Sequence, residues 1–179
     1  MSQEGVGAMR TTLAALLFIV SLSMTSTAQT QTFTRSGLDY ELDLPSSAWR
    51  AVSRLDVHDH MEFIYGDEPT NGYFRLRKKL VAAGTTTVDL FAHDEKWELQ
   101  SLPGYVVCSD GRGTEIDGIL KGTVFSYEYI NKGRNMDGRI YYLQLDNRTF
   151  YALHFTVVSD KLQNLRDQMD SIARSFRLK

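Results

Sequence analysis

GTVFSYEYINKGRNMDGRIYYLQLDNRTFYALHFTVVSDKLQNLRDQMDSIARSF, residues 122–176, is the stretch whose reading decides the fold. Thr123, Phe125, Tyr127 and Tyr129 alternate with smaller or polar residues, as do Tyr141, Leu143 and Leu145, and then Tyr151, Leu153, Phe155 and Val157. Aromatic and β-branched residues at a period of two describe pleated strands with a strongly apolar face. Lys132-Gly133 and Asp146-Asn147 fall between them as turns. The period then changes: Leu162, Leu165, Met169, Ile172, Ala173 and Phe176 recur at three- and four-residue steps, the stripe of an amphipathic helix. Asp160 is the predicted N-cap, with Gln163 three residues on to close a capping box. Neither apolar face is stable in water alone, so the helix must fold back over the meander.

Working outward, Phe150, Ala152 and Val158 make the second face of the third strand apolar as well. A sheet apolar on both faces is covered on both, and a second helix is available. Thr85-Thr86-Thr87 caps a segment running to about Leu102, with Val88, Phe91, Ala92, Leu99 and Leu102 as its predicted stripe and Pro103-Gly104 as its stop. Further upstream, Leu38, Tyr40, Leu42 and Leu44 alternate with Asp39, Glu41 and Asp43, a half-buried strand with an acidic outer face. Trp49 opens another strand, Val57–Tyr65 is a third, and Tyr73–Val81 a fourth, with Phe74, Leu76 and Leu80 on one face and Arg75, Arg77 and Lys79 on the other. Tyr105–Cys108 is a short strand before a loop rich in glycine and acid, Ser109–Gly118. The sum is an α+β fold, an antiparallel sheet flanked by helices in an α/β/α sandwich.

The first residues follow a different logic. Arg10 supplies a positive charge, Leu13–Leu22 is a short apolar run, and Ser26-Thr27-Ala28 offers small residues for cleavage. This is the layout of a secretory signal peptide. The expectation is a signal peptide over residues 1–28 and a single domain over 29–179. The run is short for a bilayer span, so no stable membrane insertion is expected once it is removed. The formal charge of −2, from 20 basic and 22 acidic residues, gives no global field for nucleic acid. The single cysteine, Cys108, excludes an internal disulfide, and export to an oxidising compartment leaves packing to hold the fold. Cys108 reads as a small buried hydrophobe.

Tyr40-Glu41-Leu42-Asp43-Leu44-Pro45 followed by Trp49, a mid-chain helix ending at Pro103-Gly104, the aromatic meander and a terminal Ile172-Ala173-Arg174-Ser175-Phe176 together resemble the PsbP-like fold family, in the form of its exported bacterial envelope members. The resemblance spans nearly the whole mature chain. It implies an accessory or binding role in the periplasm or outside the cell, with a protein partner in the cell envelope and without cofactor or catalysis. The family's site residues have no counterpart in this sequence.

The most chemical stretch is His58-Asp59-His60-Met61-Glu62. On a strand His58, His60 and Glu62 project together, and two imidazoles with a carboxylate suit zinc, which opens the alternative of a metal-dependent enzyme. The competing expectation is a solvated strand face, with Val57, Met61, Phe63 and Tyr65 taking the core. Arg75, Arg77, Lys78 and Lys79 suit an acidic partner or a phosphate, against an edge strand blunted by charge or pairing with the acidic face of Asp39, Glu41 and Asp43. His58, His60, Glu62, Arg75, Arg77 and Lys79 are therefore the candidate partner-binding residues. Asp94, Glu95 and Glu98 read as the solvated side of a helix. Tyr127, Tyr129, Tyr141 and Tyr142 offer a third reading, the lining of a small-ligand pocket. Asp110–Asp117 lacks the alternating acids of a calcium loop, and Asn147 in Asn147-Arg148-Thr149 reads as a turn former rather than a glycosylation site.

Overall fold

A computed structural model describes residues 30–52, 61–108 and 113–179. The segment read as a signal peptide, His58 and His60, and the first half of the glycine-rich loop lie outside the described residues.

The meander forms as its alternation predicts: β8 (Gly122–Asn131), β9 (Arg134–Gln144) and β10 (Thr149–Val158) pair antiparallel in order. Lys132 and Gly133 both take positive φ, 50° and 76°, the twist-matched geometry of a two-residue hairpin. Around this centre the sheet runs β3 (Trp49–Val52), β4 (Met61–Tyr65), β5 (Tyr73–Leu80), β10, β9, β8 and β6 (Val106–Val107), every neighbour antiparallel. The glycine-rich loop contributes one unexpected strand, β7 (Thr114–Ile116), which also pairs with β8. A separate small sheet joins β1 (Gln31–Phe33), β2 (Tyr40–Leu44) and β11 (Arg177–Leu178).

One helix lies on each face. The second, α2 (Ser159–Ser175), buries Leu165, Met169, Ile172 and Ala173, with Phe176 just beyond it, against Val124, Tyr141, Leu143, Tyr151, Leu153, Phe155 and Val157. Tyr40, Leu42 and Leu44 of β2 close the same core, and Trp49 Nε1 donates to Gln168 Oε1 at 3.0 Å, tying the sheet edge to the helix. Asp160 is not the cap. The helix starts at Ser159 with Val158 as N-cap and no side-chain cap bond, because β10 runs into α2 without a loop.

The first helix, α1 (Thr87–Asp94), is capped by Thr86, whose hydroxyl accepts from Asp89 N while the Asp89 carboxylate accepts from Thr86 N. It continues through a π turn, Glu95–Leu99, closed by Gln100 N donating to Glu95 O at 2.9 Å. Its buried residues are Leu90, Phe91, Asp94 and Leu99, which pack with Phe125, Tyr127, Ile140, Tyr142, Phe150 and Ala152 on the second face of the sheet. The predicted stripe holds at Phe91, Leu99 and the half-buried Leu102, but Val88 and Ala92 are exposed, and Leu90 and Asp94 take the sheet-facing side instead. Cys108 is half-buried at the sheet edge, its Sγ 3.7 Å from Glu128 Oε1.

Candidate functional site

Strand β5 carries the chemistry. It sits between β4 and β10, so it is not the charge-blunted edge strand that its sequence suggested. Phe74 and Leu76 face α2, and Leu80, expected beside them, is exposed at the strand end. Tyr73, Arg75, Arg77 and Lys79 take the other face, beneath α1 and the π turn. Lys78, on the α2 face, makes the pairing foreseen for the basic strand, bonding Asp39 at 2.5 Å.

Lys79 Nζ donates to both Asp94 oxygens, at 2.6 and 2.8 Å, and the Tyr142 hydroxyl donates to Asp94 Oδ2 at 2.6 Å. His93 Nδ1 lies 3.3 Å from Asp94 Oδ1. Asp94 is only 6 % exposed. Burial by itself would raise its carboxyl pKa, but the hydrogen bonds from Lys79 and then Tyr142 outweigh it and hold the group below the ordinary carboxylate value. The same burial, with the Asp94 charge beside it, keeps the Tyr142 phenol protonated. One turn on, Glu98 accepts from Arg75 Nη2 at 3.2 Å and Arg77 Nη1 at 3.1 Å. The Nε atoms of both arginines are buried without a hydrogen-bond partner among the described residues.

Glu62 faces this layer, in register with Arg75, and accepts from the Tyr73 hydroxyl at 2.9 Å. Burial and then that bond push the Tyr73 phenol up to about 12. Met61 and Phe63 take the core, as expected of the opposite face. Among the described residues no three His, Cys, Asp or Glu side chains converge as a metal site. Glu62 is instead engaged by a phenol.

His154 completes the layer from β10, in register with Arg75 and Ile140. The Tyr127 hydroxyl meets its Nε2. Tyr127 can lie there because its register partner is Gly138, where a Cβ would come within 2.1 Å of the ring. Burial, then the charges of Arg75 and Arg77 and Lys79 against that of Asp94, pushes the His154 imidazole down to about 3, so it is neutral at physiological pH and Tyr127 donates to it. A consequence can be measured. The unfolded chain takes up a proton at His154 near pH 6.5 that the folded chain refuses, so stability is full above that pH and falls below it. Asp94, held low, begins to lose its contribution only below about pH 4. Between pH 6.5 and 4.5 the loss should be about 1–2 kcal/mol, less than the full depression implies because the residue is only half-buried. Urea unfolding at the two pH values measures it, and His154→Gln should flatten the slope. An unaltered slope would assign the effect elsewhere.

The four tyrosines read as a pocket lining do not share one. Tyr127 and Tyr142 face α1, whereas Tyr141 faces α2 and bonds Asp170, and all three are fully buried. Sequence placed Asp94 in solvent and could not place His154, while Glu98 is exposed as read but paired with two arginines. The legible half of the Lys79–Asp94 and Arg75/Arg77–Glu98 pairings was the basic strand.

A broad antiparallel sheet with one helix on each face, the strand-to-helix meander at its centre and the N-terminal strand closing the core is the PsbP-like fold. Solved structures share it. The chain is similar to cyanobacterial PsbP (CyanoP) from Synechocystis sp. PCC 6803, with 12% identity, a TM-score of 0.58, and 90% of this chain and 99% of that one covered. It is similar to LpqN, involved in cell envelope biogenesis of Mycobacterium tuberculosis, with 17% identity, a TM-score of 0.53, and 84% and 91% covered. The Saccharomyces cerevisiae Ran-binding protein Mog1p matches with 10% identity, a TM-score of 0.60, and 84% and 96% covered. By sequence alone the chain matches no family profile and no curated protein.

Proposed function

We propose that the protein is an exported, non-catalytic binding or accessory module whose partner is another protein of the cell envelope. The export signal read in residues 1–28, the part of LpqN in cell envelope biogenesis and the Ran binding of Mog1p support this reading. The observation that carries it is the outward side of the charged layer. Arg75, Arg77 and Lys79 turn inward to hold the first helix, and the π turn they anchor presents Trp97 to solvent, 67 % exposed. Lys96 Nζ sits 4.9 Å over the Trp97 ring, and Glu98 with its two arginines follows directly. An exposed tryptophan on a turn anchored to the sheet, rimmed by charge, is the composition of an interface hot spot.

The test is cross-linking capture from the native cell envelope with the full chain as bait, repeated with Trp97→Ala. The wild type should retain one protein partner, and the variant should bind it roughly thirtyfold more weakly, the loss of about 2 kcal/mol that marks a hot spot. Its melting temperature should not move, since an exposed side chain changes stability by about 0.5 kcal/mol at most. Equal recovery of the partner by Trp97→Ala would remove the turn from the interface.

A further inference from the structure

The loop that joins β4 to β5 carries a dipeptide with chemistry of its own. Asn71 is the only asparagine that glycine follows, whereas Asn131, Asn135, Asn147 and Asn164 precede larger residues. Pro69–Asn71 forms a single 3-10 turn, with Asn71 N donating to Glu68 O at 3.0 Å. Gly72 then joins the sheet margin, its carbonyl accepting from Tyr65 N at 2.8 Å. Packing selects glycine there: an added Cβ would lie 2.9 Å from Tyr65 Cβ and 3.1 Å from Leu165 Cδ1. The fold itself therefore sets the one residue without a shielding side chain after Asn71. The Asn71 side chain is half-buried and reaches α2, where its Oδ1 accepts from Lys161 Nζ at 2.5 Å. Beside this bond opens a cavity of about 430 Å³ lined by Asn71, Arg134, Asn135, Ser159, Asp160 and Lys161, roomy enough for water to reach the amide.

We propose that Asn71 is a self-modifying residue, which deamidates through attack by the Gly72 backbone nitrogen. That nitrogen and Asn71 Cγ are the two ends of a chain that closes into a five-membered succinimide, so the reactants never have to meet from solution. The Gly72 N–H gives its proton to solvent base and the N–Cγ bond forms. The Cγ–Nδ2 bond then breaks, and the nitrogen takes a proton from water and leaves as ammonia. Water opens the ring at either carbonyl, to aspartate or isoaspartate, and nothing is oxidised or reduced. Lys161 assists the slow part. In the tetrahedral intermediate negative charge builds on Asn71 Oδ1, the oxygen its ammonium already meets, and a cation at a developing oxyanion lowers the barrier. The aspartate product suits its place. It pairs with Lys161 in the first turn of α2, a helix that begins without a side-chain cap and favours negative charge there. Isoaspartate instead adds a backbone methylene just before Gly72 and works against the bond to Tyr65. The loop meets α2 rather than the π turn, so this site stands or falls independently of the Trp97 surface.

The experiment incubates the full chain at neutral and at mildly acidic pH and follows the amide-to-acid conversion of each asparagine by peptide mapping and mass spectrometry. Asn71 should convert ahead of Asn131, Asn135, Asn147 and Asn164, and more slowly in acid, because the Gly72 nitrogen has to lose its proton. Hydroxylamine attacks a succinimide, so adding it during the incubation should cut the chain between residues 71 and 72. Lys161→Met should slow the conversion about tenfold, the scale of one lost charge-assisted hydrogen bond. In urea, where the two side chains are no longer held together, wild type and Lys161→Met should convert at the same rate. Conversion of Asn71 no faster than that of the other asparagines, or no cut by hydroxylamine, would overturn the site. So would a Lys161→Met rate equal to or above the wild type in the folded protein, or a difference between the two that persists in urea.

Discussion

Asp94→Ala should destabilise the protein by about 3–5 kcal/mol, the cost of leaving a buried charge without its partner. Lys79 loses both of its short bonds, at 2.6 and 2.8 Å, and the buried Tyr142 hydroxyl loses its acceptor in the same step. The two losses share one carboxylate, so they act together rather than adding independently. Glu98→Ala is the internal control. Glu98 also bridges strand and helix, but its side chain is 39 % exposed, and ion pairs of that kind are worth about 1 kcal/mol or less. Chemical denaturation of both variants at pH 7 measures the contrast. Equal losses would mean that Asp94 is not the centre of the layer.

Ile172→Asp should unfold the domain outright. Ile172 has no exposed surface and sits on the α2 stripe with Leu165, Met169 and Phe176, against the β2 and β10 side chains. An unpaired carboxylate there costs several kcal/mol, on top of the lost apolar burial, from a total stability of about 5–15 kcal/mol. Leu162→Asp, at the half-buried start of the same stripe, should cost clearly less. Circular dichroism melts of the two proteins separate the outcomes, and a cooperative wild-type melt for Ile172→Asp would show that the helix does not seat as described.

The parts of the fold legible in advance are those whose cause is local. Alternation fixes β8, β9 and β10, and the 3.6-residue stripe fixes the docked face of α2, because each pattern is written within a dozen residues. The parts that were misread depend on partners far along the chain. β5 reads as an edge strand from its charges, yet it is interior because β10, some seventy residues later, pairs with it. Asp94 reads as a solvated helix residue because Lys79 and Tyr142, which bury it, lie on two different strands. The same is true of the arginines. Read as a free basic face, Arg75 and Arg77 would be available to an outside partner, but Glu98 already holds them. β7 reads as part of a glycine-rich loop, because pairing with β8 alone makes Thr114–Ile116 extended. The cap at Asp160 failed for a local reason, a strand passing into a helix with no loop between them.

The two faces of the sheet are fastened by different forces, and this gives the molecule two separate responses to its surroundings. The α2 side is held by aromatic and aliphatic contact, which weakens on cooling. The α1 side adds a layer of ion pairs to its apolar contacts, and the outer pairs, Arg75 and Arg77 with Glu98, lie where dissolved ions reach them. Added salt therefore loosens the π turn and the tryptophan it presents, while the shielded Asp94–Lys79 pair keeps the helix moored. A shift in ionic strength then tunes how firmly one surface is presented and leaves the rest of the scaffold as it was.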